Sequence, residues 1–180
     1  MQVQARGGVG LRVTFLWIIP LAVAIDQAIK FIVRGSMALY QSEPVLGNFF
    51  RLTYIHNPGA AFGLNLGSPL LHTAFSFLAL GIIVYLYRSL AENERLLRLA
   101  LCLVLGGAVG NIIDRLYLGE VVDFFDFGLG DLRWPIFNFA DSFVTVGVLL
   151  LALGYSRREK TDSSPEQPSS PESEEETVRE

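Results

Sequence analysis

The sequence predicts a membrane all-α bundle of four transmembrane helices with a small β-containing extracytoplasmic subdomain. Three observations carry that prediction. Hydrophobic residues make up 51% of the chain and charged residues 18%, and only one hydrophobic residue, Val178, lies after Tyr155. Four apolar stretches are each about as long as a bilayer crossing requires, roughly 20 residues. The charge is also unevenly placed. Residues 157–180 hold eight acidic and four basic side chains, which leaves ten of each from the chain's 18 and 14 in residues 1–156. The net charge of −4 therefore belongs to the tail, and the body is neutral. This composition excludes a disordered protein, a disulfide scaffold and a basic nucleic-acid binder.

The expected spans are residues 11–33, 69–87, 96–113 and 137–155. In the first, Ala22-Val23-Ala24 after a basic start looks like a signal-peptide cleavage site. The apolar pattern continues past it through Ile25, Ala28, Ile29 and Phe31, so an uncleaved span is expected. Eight basic residues (Arg6, Arg12, Arg88, Arg95, Arg98, Arg157, Arg158 and Lys160) fall at one set of helix ends, against Arg34, Arg51, Arg115 and Arg133 at the other. The positive-inside rule puts both termini in the cytoplasm and loops 34–68 and 114–136 outside. Residues 1–156 then form the membrane domain and 157–180 a disordered acidic tail rich in Ser, Pro and Glu.

The outer loops carry strand signals. Phe49 to His56 is aromatic and β-branched and ends at the turn-forming Asn57-Pro58-Gly59, and Glu120 to Phe125 reads similarly. A small strand-bearing structure on the outer membrane surface is expected.

Ionisable residues inside a membrane body are informative because they are costly. Asp26 and Lys30 lie near the outer end of the first span and can pair at i and i+4. Asn111, Asp114 and Arg115 end the third span, and Asp114 with Arg115 reads as a structural ion pair. Asn138 and Asp141, at i and i+3, open the fourth, with Asp141 only ~6 Å inside Phe137. Three helices thus bring polar groups to one depth. Gly106, Gly107 and Gly110 read as a close-packing device for a neighbouring helix.

Asp123 and Asp141 stand apart, because neither has a basic residue within four positions. If they face each other, desolvation and like charge make them share a proton, as in aspartic proteases. Spacing alone leaves that catalytic pair and a structural role equally open. Gly128-Leu129-Gly130-Asp131 matches the Gly-x-Gly-Asp signature of another intramembrane aspartyl protease class, but it sits in a loop and reads as a turn. His56 and His72 are isolated, so no metal site is expected, and Cys102 among leucines reads as a small hydrophobe.

Five boxes together resemble a known family. Asp26 with Lys30, Asn57 to Gly63, Gly106 to Arg115, Gly119 to Phe124 and Phe137 to Ser142 are similar, in order, to the signature boxes of bacterial lipoprotein signal peptidase (signal peptidase II), over residues 11–156. The resemblance implies an aspartic endopeptidase of the bacterial inner membrane, acting near the outer leaflet. Its substrate would be diacylglyceryl-modified prolipoprotein, cut on the amino side of the lipidated cysteine. It implies Asp123 and Asp141 as the catalytic dyad. Asn57, Gly110, Asn111, Asp114, Arg115 and Asn138 would bind substrate or order the site, with Asp26 and Lys30 structural. No metal or other cofactor, no nucleic acid and no partner besides substrate and membrane lipids are implied, and a monomer is expected. The rival from another class is a small proton- or solute-coupled carrier. It requires polar residues reaching the midplane, whereas the inner halves of the second and fourth spans, such as Val148 to Leu153, are apolar. A purely structural assembly subunit would leave Asp123 and Asp141 unexplained.

Overall fold

The computed structural model describes residues 15–59 and 69–162. Its elements run α1 (Ile18–Ser36), β1 (Ser42–Leu46), β2 (Phe50–Asn57), α2 (Pro69–Ser89), α3 (Arg95–Leu118), β3 (Val121–Leu129), β4 (Leu132–Arg133) and α4 (Phe139–Asp162). Among the described residues the architecture is four helices and one small antiparallel sheet, in the strand order β1-β2-β3-β4.

By length and composition, Leu70–Ser89, Arg95–Leu118 and Phe139–Arg158 are apolar enough to cross a membrane, with mean hydropathies of 1.9, 2.1 and 1.6. α1, which holds Asp26, Lys30 and Arg34 in 19 residues, is not among these three. Part of the first expected span, residues 11–14, and part of the outer loop, residues 60–68 with the Ala60 to Gly63 half of its box, lie outside the described residues.

Two boundaries differ from expectation. α3 runs on to Leu118, so Asp114 and Arg115 are on a helix rather than in a loop. Nothing breaks the helix until Gly119, whose left-handed backbone (φ 79) turns the chain while its N–H bonds to the Arg115 carbonyl. α4 also continues to Asp162, six residues into the stretch expected as tail.

α3 is the central helix and packs against α1, α2 and α4. Glycines permit the approach. A Cβ on Gly107 would collide with the Ala140 carbonyl oxygen of α4, and one on Gly110 would lie 2.6 Å from the Asp26 carboxylate of α1. α2 instead exposes Leu70, Phe75, Leu78, Ile82 and Tyr85, the apolar face that lipid would cover.

The sheet is seated on the end of the bundle where α3 feeds β3. Val122 and Phe124 pack with Val33 of α1 and Tyr54 of β2 in a buried cluster. Strand alternation puts Asp123, Phe125 and Phe127 on the other face. There Phe125 meets Phe137 and Phe139 at centroid distances of 5.5 and 4.9 Å, and Phe127 stacks on Phe50 at 4.5 Å. The β2–β3 register shifts between Leu52 and Ile55, so a bulge sits directly beside Asp123. Gly128 and Leu129 close β3, and Gly130 (φ 59) with Asp131 makes the two-residue turn to β4, so the Gly-x-Gly-Asp match is a strand end and its hairpin turn.

Candidate active site

The local sequence of α4 explains how its polar residues are held. Asn138 precedes the helix, and its Oδ1 accepts the Asp141 backbone N–H at 2.9 Å. Asp141 Oδ2 accepts the Asn138 backbone N–H in return, at 3.3 Å. This is a capping box, which satisfies amides that the first helical turn leaves without partners. The next amide, Ala140 N–H, is taken by Asp26 Oδ1 of α1 at 2.9 Å. Both carboxylates gain from the positive end of the helix dipole.

Asn138 also reaches β3. Its Nδ2 donates to Asp123 Oδ1 at 2.7 Å, with Asn111 Oδ1 (3.1 Å) and the Val122 carbonyl oxygen (3.2 Å) also in range. Asn111, one turn before the end region of α3, donates Nδ2 to Asp141 Oδ1 at 2.7 Å. Asn57 donates Nδ2 to Asp123 Oδ2 at 2.9 Å, its own oxygen held by the Gly59 N–H. Asp123 and Asp141 are therefore joined through two asparagine amides, Asn111 on α3 and Asn138 just before α4.

Asp123 is 1% exposed, while Asp141 is only half-buried. Burial pushes the Asp123 carboxyl up to about 7, and the Asp141 charge adds to the rise. The Asn57 and Asn138 hydrogen bonds and the Lys30 charge oppose it. Below about pH 7 the raised Asp123 carboxyl therefore keeps its proton and can donate it. Arg115 donates to the Asn111 carbonyl at 3.3 Å, and its charge acts on Asp141, Asp123 and Asp114.

A second polar layer lies beneath. Lys30 Nζ pairs with Asp26 Oδ2 at 2.9 Å, the expected i, i+4 contact, and with Asp114 Oδ2 at 2.7 Å. Asp114 is thus the partner of Lys30 and not of its neighbour Arg115, because successive residues on a helix point about 100° apart. Asp114 also accepts the Val122 N–H at 3.1 Å, which fixes where β3 leaves the helix. Sequence reasoning missed Gln27, whose Nε2 bridges Asp26 (3.2 Å), Asp114 (3.0 Å) and the Gly110 carbonyl (3.1 Å). Only its position beside Asp26 could have signalled it. Asp126 was missed as well. It is buried and bound by Arg133 Nε at 2.6 Å and Thr53 Oγ1 at 2.7 Å, a clamp on the sheet away from the pair. Among the described residues, no three His, Cys, Asp or Glu side chains gather as metal ligands would.

Residues 18–157 match the family described as signal peptidase (SPase) II. The chain belongs to that family. Relatives named lipoprotein signal peptidase include one from Moorella thermoacetica, 47% identical over 76% of this chain and 89% of its own. Another, from Syntrophus aciditrophicus, is 39% identical over 84% of this chain and 97% of its own. A bacterial membrane enzyme solved by the in meso method at 2.3 Å resolution superposes with a TM-score of 0.75 at 31% identity. That match covers 89% of this chain and 96% of the solved one. This signal peptidase II family member is an aspartic peptidase and a membrane protein, which displaces the carrier reading.

Proposed function

We propose that this peptidase removes signal peptides from diacylglyceryl-modified prolipoproteins, cutting on the amino side of the lipidated cysteine, with Asp123 and Asp141 as the catalytic dyad. The names of the relatives support the substrate class. The observation that carries the dyad is the amide bridge from Asp123 through Asn138 and Asn111 to Asp141. Asp141, half-buried and capped by backbone and amide N–H groups, is the ionised member and takes a proton from water. Asp123, buried and shifted to about 7, is the protonated member and donates to the scissile carbonyl oxygen. The hydroxide formed adds to the carbonyl carbon. Collapse of the tetrahedral diol then breaks the C–N bond, the amine leaving with the proton held on Asp141, and Asp123 recovers its own from the diol.

The remaining polar residues order this pair in the same reading. Asn57, Asn111, Asn138 and Arg115 hold or bias the carboxylates. Gly110 lets Asp26 close on α3, and Asp114 with Asp26 and Lys30 ties α1, α3 and β3 together. The Phe125–Phe137–Phe139 wall beside Asp123 limits water. α1 supplies the fourth span. With both termini on the cytoplasmic side of the inner membrane, the dyad falls near the outer leaflet, where a lipidated substrate keeps its acyl chains. Residues 1–156 act as a monomeric membrane domain, and the acidic tail is dispensable to chemistry.

The test is to incubate the purified protein with diacylglyceryl-modified prolipoprotein and with its unlipidated form. Cleavage of the first alone, abolished in Asp123→Asn, supports the reading. Equal cleavage of both forms sinks the substrate assignment, and wild-type-like cleavage by the variant sinks the dyad.

A further inference from the structure

We infer that Lys30 is a positioning residue: as a group that only donates, it sets the direction of the Asn111 amide, and through that amide keeps Asp141 ready to accept a proton. The inference rests on the dyad reading.

The argument is one of hydrogen-bond direction. A lysine ammonium has three N–H donors and no acceptor. Those of Lys30 go to Asp26 Oδ2 (2.9 Å), Asp114 Oδ2 (2.7 Å) and Asn111 Oδ1 (3.0 Å). The ammonium is 2% exposed, so no water competes for it. An asparagine amide can turn over, exchanging oxygen and nitrogen, and its neighbours decide which way it lies. At Asn111 they agree. Lys30 Nζ and Asn138 Nδ2 both donate to its oxygen, which leaves its nitrogen 2.7 Å from Asp141 Oδ1. Turned over, Asn111 would set a nitrogen against two donors and an oxygen against a carboxylate. Its oxygen beside Asp141 would also favour the protonated acid there, and a protonated Asp141 is no base.

The groups facing Lys30 come from two helices: Asp26 on its own, and Asn111 and Asp114 on α3. None of its hydrogen bonds or ion pairs is to Asp123 or Asp141, so its contact with the site runs through Asn111, and only its charge reaches Asp123 from a distance. A lysine serving only to neutralise Asp26 and Asp114 would have no need to reach Asn111 at all. Asn138 alone cannot fix Asn111, because the Asn138 nitrogen also reaches the Asp123 and Val122 oxygens.

The experiment removes the lysine together with the charges it neutralises, in the triple variant Asp26→Asn/Lys30→Met/Asp114→Asn, assayed as purified full chain on lipidated prolipoprotein. Positioning predicts a folded protein whose kcat falls ~10- to 100-fold, the size of effect that misplaced catalytic groups produce, while KM stays within about threefold. A parent-like kcat overturns the inference, since a purely neutralising lysine is dispensable once both carboxylates are amides. Asp141→Asn, assayed beside it, separates the two ideas. An active Asp141→Asn enzyme indicts the dyad, whereas an inactive one with a parent-like triple variant indicts Lys30 alone. Should the triple variant not fold, solid-state NMR on the parent protein in lipid bilayers decides. An Asn111 side-chain nitrogen dipole-coupled to Asp141 Cγ supports the inference, and one that faces Lys30 overturns it.

Discussion

The two ends of the bundle both bury charge, and they do so in opposite ways. At the α2–α3 turn, Arg98 is 1% exposed, yet its Nε bonds to the Ala91 carbonyl at 3.1 Å, its Nη2 to the Leu90 carbonyl, and its guanidinium lies 5.3 Å over the Tyr87 ring. Those carbonyls lie in the turn just after α2, where helical partners have run out. Glu94 nearby is equally occupied, by the Ala91 N–H at 2.6 Å and by Arg158 at 2.7 Å. Each ionic group there closes a piece of backbone. At the sheet end, Asp26 and Asp114 pair with Lys30, Asp123 and Asp141 are joined to that layer through Asn111 and Asn138, Arg115 lies beside them, and acids outnumber bases. Burial of charge is common to both ends. Of the two ends, among the described residues, the second is the one where buried acids outnumber bases and are held by neutral amides, and that is the better guide to chemistry.

The strongest way to break that contrast is to remove the unbalanced pair. Asp141→Asn and Asp123→Asn should each lower kcat more than ~10³-fold, as expected for members of a unit that works only as a whole. Thermal unfolding should show both variants folded, because asparagine keeps the shape and the acceptor oxygen. If either retains full activity, the sheet end is no more catalytic than the Arg98 end.

A subtler cut separates the two tasks of Asn138. Asn138→Ala should lower kcat by about 10²-fold by freeing the two carboxylates from each other, and should lower stability by about 1 kcal/mol through loss of the helix cap. Asn138→Ser restores a capping oxygen but cannot reach Asp123. Its stability should recover in chemical denaturation while its kcat does not. Recovery of both would make Asn138 a cap and nothing more.

Acidity provides the third test. Because the Asp123 carboxyl is raised to about 7, the folded chain holds a proton there that the unfolded chain has released. Unfolding between about pH 4 and pH 7 therefore liberates a proton. The contribution of this group is full below about 4 and is lost as pH rises through about 7, at up to ~1.4 kcal/mol per pH unit. Activity should fall above the same pH, where Asp123 has no proton to give. In Asp123→Asn this part of the stability slope should vanish, and an unchanged slope would remove the protonated-acid role.

Why the candidate pair is legible in the sequence, and the second layer is not, has a physical basis. Asp123 and Asp141 were visible because an acid without a nearby base in apolar sequence is anomalous whatever the fold. Asn111 and Asn138 were visible because helical spacing places them beside Asp114 and Asp141. The strands also showed, since Phe50 to Asn57 and Val121 to Phe125 are aromatic and β-branched. The Lys30–Asp114 pair spans two helices, and local spacing pairs Asp114 with Arg115 instead. Gln27 bridges positions 83 and 87 residues away, so no local pattern contains it. The length of α3 was misjudged because membrane hydropathy ends at Ile113, whereas helical hydrogen bonding continues to Gly119.

The smallest effect on chemistry is expected at the Arg98 end, and that makes it a sharp control. Arg98→Met keeps an apolar stem against Tyr87 but strips the Leu90 and Ala91 carbonyls of their donor. Leaving buried acceptors unmade costs about 1–3 kcal/mol each, so the unfolding temperature should drop measurably. The turn is joined to Asp123 and Asp141 along α3 and α4, and the shorter path, from Arg98 to Asn111, is 13 residues, ~20 Å of helix. Once folded, the variant should therefore cleave with kcat within about twofold of the parent, since sites this far apart without shared partners act independently. A large fall in kcat at full occupancy of the folded state would mean that the two ends communicate through α3, and that counting charges end by end misses part of what the central helix does.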